Sequence, residues 1–362
     1  MSAKLEIKKA IRRAVALQVG FYGPTGSGKT FSALRFAAGL AGPDGKVAVI
    51  DTEKGRASLY ADNKRLLAEL PQGYSVVDLD DPYHPERFIE ALELCESAGN
   101  KVCLIDSESD SWDGPGGCHD ITANNKGRWN KAKLANKKMK TWINLSDMHV
   151  ISLFKAQEKS KIIEGPVKNG KKTEEVISLG VLPISERNAF YPMLLGFSVD
   201  PKTHLSEAIK CHDDLTALFQ VPKMITKEDG DRVRIWNESG QAVDYIEQLF
   251  KRSRFAAGRG TEAYKAYFSG LSAKQRKDLA AVHEENKQLA AQADREAIAE
   301  ATADDATELV DEPAAVSGDI PSFGSPDQPV PFPDTFDGPV CLWNGERYEL
   351  DLDSSGYRKV AA

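Results

Sequence analysis

Gly23-Pro24-Thr25-Gly26-Ser27-Gly28-Lys29-Thr30 fits the pattern G-x-x-x-x-G-K-[ST] without a mismatch. Its flanks decide the fold. Ala14 to Tyr22 reads as a short buried strand, and Phe31 to Ala41 reads as an apolar helix. A strand that feeds a glycine-rich loop opening a helix makes a phosphate cradle. Glycines let the backbone curl until several N–H groups converge, and the helix start adds the positive end of its dipole. Gly23, Pro24, Thr25, Gly26, Ser27, Gly28, Lys29, Thr30 and Phe31 are the expected nucleotide contacts. Lys29 is expected to reach the β- and γ-phosphates and Thr30 to hold Mg²⁺, so ATP and Mg²⁺ are the expected cofactors.

Working outward, Lys46 to Asp51 (KVAVID) is a strand, Tyr74 to Leu79 a short third strand, and Pro85 to Ala98 a helix. Lys101 to Asp106 (KVCLID) and Met148 to Phe154 (MHVISLF) are further apolar strands. Strands alternating with helices call for an α/β fold with a mostly parallel central sheet covered on both faces. Ligands of such sheets sit at the C-terminal strand ends. Asp106, closing an apolar strand, is the expected metal carboxylate beside Thr30. Glu53, after the neighbouring strand, is expected to place the attacking water; Glu108 is the competing acid.

Four segments carry a family resemblance: GPTGSGKT, AVIDTEKGRASLY, VCLIDSESDSWDG and HVISLFKAQEK. Together they resemble the RecA-like P-loop ATPases encoded by bacteriophages, and among them the single-strand annealing proteins with a trimmed RecA core. The resemblance covers about residues 12–240. It implies a RecA-like P-loop NTPase core, a catalytic glutamate after the second core strand (Glu53), and a polar γ-phosphate sensor at Gln157 or Lys155. It also implies single-stranded DNA as partner and assembly into a ring or filament. The chain departs from the small annealing proteins in a long 107–147 insertion and in its tail after Gln241.

The net charge is −7, but it is unevenly spread. Between Ile121 and Trp142 stand seven Lys or Arg and no acid, namely Lys126, Arg128, Lys131, Lys133, Lys137, Lys138 and Lys140. Cations at this density draw in a phosphate backbone, and Trp129 and Trp142 either stack on bases or lie in the core. On a helix from Arg128 to Leu145, Leu134, Lys138 and Trp142 share one stripe. Lys159 to Val176, with Gly-Pro and Asn-Gly signals, reads as a hairpin or flexible loop; its Lys168, Lys171 and Lys172 complete the expected nucleic-acid set. Lys155, Lys159, Lys161 and Arg187 are candidates for a cation acting on a neighbouring subunit's phosphates. Pro192 to Asp200 reads as a strand, Ser206 to Phe219 as a helix or helical turn, and Arg232 to Trp236 as a β-like run.

The expected organisation is an ATPase core over 1–245, a helical extension over 246–302, an acidic disordered linker over 303–339 and a small hairpin or docking segment over 340–362. Thr261 to Phe268 is a short helix and Ser272 to Thr302 a mostly exposed one. From Thr302 to Val330 there are seven acids and no Lys or Arg, a tail suited to a protein partner or to competition with DNA. Five scattered cysteines without C-x-x-C spacing fit reduced cytoplasmic thiols and give no zinc-ligand pattern. No run of about 20 apolar residues offers a membrane span. The leading expectation is an ATPase acting on single-stranded DNA in recombination or annealing. A translocase, helicase or packaging ATPase and a nucleotide-gated scaffold with little turnover are the alternatives.

Overall fold

A computed structural model describes residues 7, 9–168, 171–308, 340–343, 346–351 and 356–359. The chain opens with β1 (Arg13–Ala14) and β2 (Gln18–Gly23), runs into α1 (Lys29–Ala41) and returns as β3 (Lys46–Asp51). Next come α2 (Lys64–Glu69), β4 (Ser75–Asp78), α3 (Pro85–Ser97) and β5 (Asn100–Asp106). Three helices, α4 (Ser109–Asp113), α5 (Cys118–Asn124) and α6 (Asn130–Leu145), occupy the 107–147 insertion. β6 (His149–Lys168) and β7 (Lys171–Pro183) follow, then β8 (Leu195–Val199) and β9 (Ser206–Lys210). After α7 (Lys227–Glu238) and β10 (Gln241–Ala242) the chain turns helical, with α8 (Tyr245–Ala257), α9 (Thr261–Gly270), α10 (Ala273–Asp278) and α11 (His283–Glu308). The last described strands, β11 (Val340–Trp343), β12 (Glu346–Asp351) and β13 (Gly356–Lys359), form an antiparallel sheet.

Strand order across the main sheet is β4-β3-β5-β6-β2-β8-β9, with β7 paired to β6. Neighbours from β4 to β8 are parallel, while β9 and β7 run antiparallel to their partners. Near-continuous apolar strands are what a two-faced sheet demands. Alternate residues serve opposite faces. Val47, Val49, Val102, Leu104, Ile151 and Leu153 pack with α1 and Val233 of α7. Ala48, Ile50, Cys103, Ile105 and Val150 pack with Phe88, Ile89 and Leu92 of α3 and with Met139, Trp142 and Ile143 of α6.

Several elements differ from the sequence reading. Arg232 to Trp236 is helical, within α7, not β-like. Its RVRIW alternation is misleading because Val233 is buried while Ile235 is 58% exposed. The helix is set by a capping box between Thr226 and Asp229. Gly230 then lets the backbone close on α1: a β-carbon there would stand 2.1 Å from Phe36 O, and one at Gly39 would stand 2.0 Å from Lys227 O. Ser206 to Lys210 is a strand rather than a helix, recruited by the edge of β8, and only Asp213–Leu218 is a 3₁₀ turn. The first core strand starts at Gln18, since Arg13–Ala14 pairs separately with β10. On α6 the buried face carries Ala132, Asn136, Met139, Trp142 and Ile143, whereas Leu134 is exposed.

The chain divides into two compact units, Met1–Ile298 and Ala299–Ala362. Within the first, the extension after residue 245 is bound to α3 and the loop before β6 by Arg252, paired with Glu96 and Asp147, and by Arg259, paired with Glu86 and Glu93. Of the expected linker, Ala303 to Glu308 continue α11, and 309–339 lie outside the described residues. Among the described residues no helix is long and apolar enough to cross a membrane.

Candidate functional site

The glycine loop lies between β2 and α1, at the C-terminal edge of the sheet. Gly26 and Gly28 sit at φ +79° and +87°, the left-handed region open to glycine. Gly23 is confined otherwise, because a β-carbon would meet Val199 O at 2.6 Å. α1 begins at Lys29 with no side-chain cap and no acid in its first turn, so its leading N–H groups face no carboxylate of their own helix. Lys29 Nζ donates to Gly23 O (2.8 Å) and Pro24 O (3.1 Å), bending back over the loop. Burial lowers its pKa, against the pull of Asp106 and Glu53. Ser27 Oγ is buried without a hydrogen-bond partner. Thr25 and Gly26 are exposed at the loop's crest, Pro24 and Thr30 are half-buried, and Phe31 packs on Tyr60.

Thr30 Oγ1 donates to Asp106 Oδ2 at 2.6 Å, which joins the start of α1 to the end of β5. Asp106 is buried, and that burial pushes its pKa up to about 6, with the Thr30 bond opposing. A hydroxyl and a carboxylate side by side are the hard oxygen donors that suit Mg²⁺, which keeps several waters and asks few protein ligands. A cation there would also neutralise the buried charge. Among the described residues no group of three or more His, Cys, Asp or Glu is arranged for a metal.

Glu53 stands in the turn after β3. Asp51 builds that turn, its Oδ1 accepting from Glu53 N (2.6 Å) and its Oδ2 from Ala57 N (2.8 Å). Glu53 is half-buried, with Arg56 3.0 Å and Lys155 Nζ 3.8 Å from its carboxylate. Lys155 itself is held by Asp110, whose oxygens lie 2.7 and 2.9 Å away. Thr52 Oγ1 donates to the same carboxylate at 2.6 Å. Gln157 is exposed further along β6, opposite Leu182 of β7. The structure thus brings Lys29, Thr30, Asp106, Glu53 and Lys155 together and leaves Gln157 outside that contact network. Arg56, Thr52 and Asp110 escaped the sequence reading; the dense polar runs DTEKGR and DSESD were their only signal.

Glu108 takes another role. It is 3% exposed and ion-paired to Lys140 of α6, with Oε2 left unpartnered. Lys140 therefore points into the protein rather than along the basic face. Nearby, Ser109 Oγ donates to Ile184 O (2.6 Å) and accepts from Lys155 N (2.9 Å), and Asn136 of α6 reaches Glu186 at 2.7 Å. These bonds tie the end of β5, the basic helix and the base of the β6–β7 hairpin to one another.

Lys126, Arg128, Lys131, Lys133 and Lys137 are exposed, and Lys138 is half-buried. Trp142 belongs to the core and its Nε1 donates to Glu93 at 3.3 Å. Trp129 is half-buried, stacked on Trp112 with ring centres 5.5 Å apart and His119 at their edges. Lys159, Lys161 and Arg187 are exposed. Lys168, Lys171 and Lys172 close the hairpin by pairing across it, and their side chains lie outside the described part of the structure. Comparison with protein-family models and with curated proteins finds no match for this chain.

Proposed function

We propose that this chain is a RecA-like P-loop ATPase of the bacteriophage type, which binds single-stranded DNA as a ring or filament in recombination or annealing. The observation that carries the reading is the 2.6 Å bond between Thr30 and Asp106 at the mouth of a glycine loop bearing Lys29. A loop, a lysine and a hydroxyl–carboxylate pair at that spacing serve phosphoryl transfer. Mg²⁺, when bound by Thr30 and Asp106, supplies charge neutralisation of the phosphates. Lys29 exchanges the carbonyls of Gly23 and Pro24 for phosphate oxygens and stabilises the charge that builds up on the transferred group. Glu53 orients the attacking water and takes up its proton. Lys155, beside both Glu53 and Asp110, supports the γ-phosphate end.

The outward cations of α6, with Lys159 and Lys161 of the hairpin and the pairing residues Lys168, Lys171 and Lys172 near its end, supply the nucleic-acid surface. Their attachment to the β5 end through Lys140–Glu108 and Ser109–Ile184 supports coupling between that surface and hydrolysis. The test is ATP turnover by the purified protein with and without single-stranded DNA, beside Glu53→Gln. Stimulation by DNA and its loss by two to four orders of magnitude in the variant are expected. Turnover that ignores both DNA and the substitution overturns the reading. A second reading, a nucleotide-gated scaffold with little turnover, is favoured by Arg56, which occupies Glu53 at 3.0 Å.

A further inference from the structure

A different contact on the phosphate loop comes from the side of the sheet away from the acids. β8 neighbours β2 there, and the turn between β8 and β9 rises over the loop. Asp200 builds this turn. Its Oδ1 accepts from Lys202 N (2.9 Å), Thr203 N (2.7 Å) and Thr203 Oγ1 (2.9 Å), while His204 N donates to Asp200 O at 2.9 Å. The turn fixes His204 at φ 57°, a left-handed conformation that costs a residue with a β-carbon about 1 kcal/mol. The exposed imidazole donates from Nδ1 to Ser27 O at 3.0 Å. It stands over Gly28, where a β-carbon would lie 3.5 Å from Nδ1.

The sheet order gives a bound triphosphate a direction. Asp106 ends β5 and Glu53 follows β3, both on one side of β2, and β8 lies on the other. A phosphate chain whose γ end faces the acids sends its α end, and everything attached to it, toward β8. An exposed imidazole at that exit offers a flat ring for a nucleoside to pack against. We propose that His204, positioned by the Asp200 turn, packs against the nucleoside of the bound nucleotide, so that the site distinguishes a nucleoside triphosphate from a bare polyphosphate. This assignment rests on the nucleotide reading of the loop.

The test compares Mg²⁺–ATP with Mg²⁺–tripolyphosphate by calorimetric titration of the full chain. His204→Gly keeps the left-handed backbone without strain, and His204→Asn keeps a donor for Ser27 while removing the ring. Both variants are expected to lose about tenfold or more in ATP affinity and to hold tripolyphosphate within about twofold of the parent. Unchanged ATP affinity, or an equal loss for both ligands, overturns the role of His204 and leaves the loop's phosphate function intact. If the parent protein binds neither ligand, the nucleotide reading falls and takes this one with it.

Discussion

Asp106 holds a carboxylate where burial resists its charge, and its pKa of about 6 against an ordinary 3.8 measures that resistance. A group whose pKa rises on folding stabilises the fold at acid pH, and that contribution is lost as the pH climbs through the folded value. Between about pH 4 and pH 6 the native protein therefore gives up stability at Asp106, on the order of 3 kcal/mol in full. Asp106→Asn keeps an acceptor for Thr30 and removes the charge. It is expected to raise the melting temperature above pH 7 and to leave it unchanged below pH 4, while abolishing Mg²⁺-dependent nucleotide binding. Thermal melts across pH check the first part and calorimetric titration the second; a variant that melts lower at pH 8 contradicts the assignment. At this scale the meeting of Thr30 with Asp106 was legible, because a strand–loop–helix pattern and a strand-end acid fall on the same sheet edge. Lys140 was not. One cation in a run of seven turns inward to Glu108, and nothing in the run distinguishes it.

Helices α1 and α7 meet glycine to backbone, at Gly39 and Gly230, so the helix that carries Lys29 is fixed by a contact no larger side chain allows. Gly230→Ala forces the two helices apart, and a loss of about 1–3 kcal/mol is expected in urea unfolding, despite alanine's higher helix propensity. A neutral or stabilising result removes the close approach. The same contact explains why α7 was missed: its periodicity is set by α1, a distant partner, and a five-residue alternation carries no trace of it. β3, α3 and β5 were legible nearly to the residue, since apolar runs bounded by turns need no partner to be recognised. On α6 the outward cations make a separate prediction. Replacing Arg128, Lys133 and Lys137 with Glu is expected to weaken single-stranded DNA binding at least tenfold and to flatten its salt dependence by about 2. Filter binding across a salt series checks both, and an unaltered slope places the nucleic acid elsewhere.

The first compact unit is closed at its chain start by small polar contacts. Arg12 donates to Trp236 O at 2.6 Å, Asn237 exchanges hydrogen bonds with Val15, and β1 pairs with β10. The parallel layer architecture was readable from strand–helix alternation alone. The strand order was not, because it depends on which strands neighbour β2, and the interposition of β6 between β2 and β5 leaves no local mark. That interposition has a mechanical consequence. β6 is a single strand from the middle of the sheet to Lys168, and its part beyond Ala156 measures about 40 Å at ~3.3 Å per residue. Its inner end lies beside the glycine loop, where Lys155 pairs with Gly23, and the ladder along the arm is interrupted twice, between Lys159 and Ser160 and between Glu164 and Val167. A tilt of about 5° at Lys155 swings Lys168 by about 3.5 Å over that length. By the same ratio, whatever grips the outer end works on the sheet edge beside the glycine loop with a tenfold or greater mechanical advantage over any group acting within about 4 Å of it.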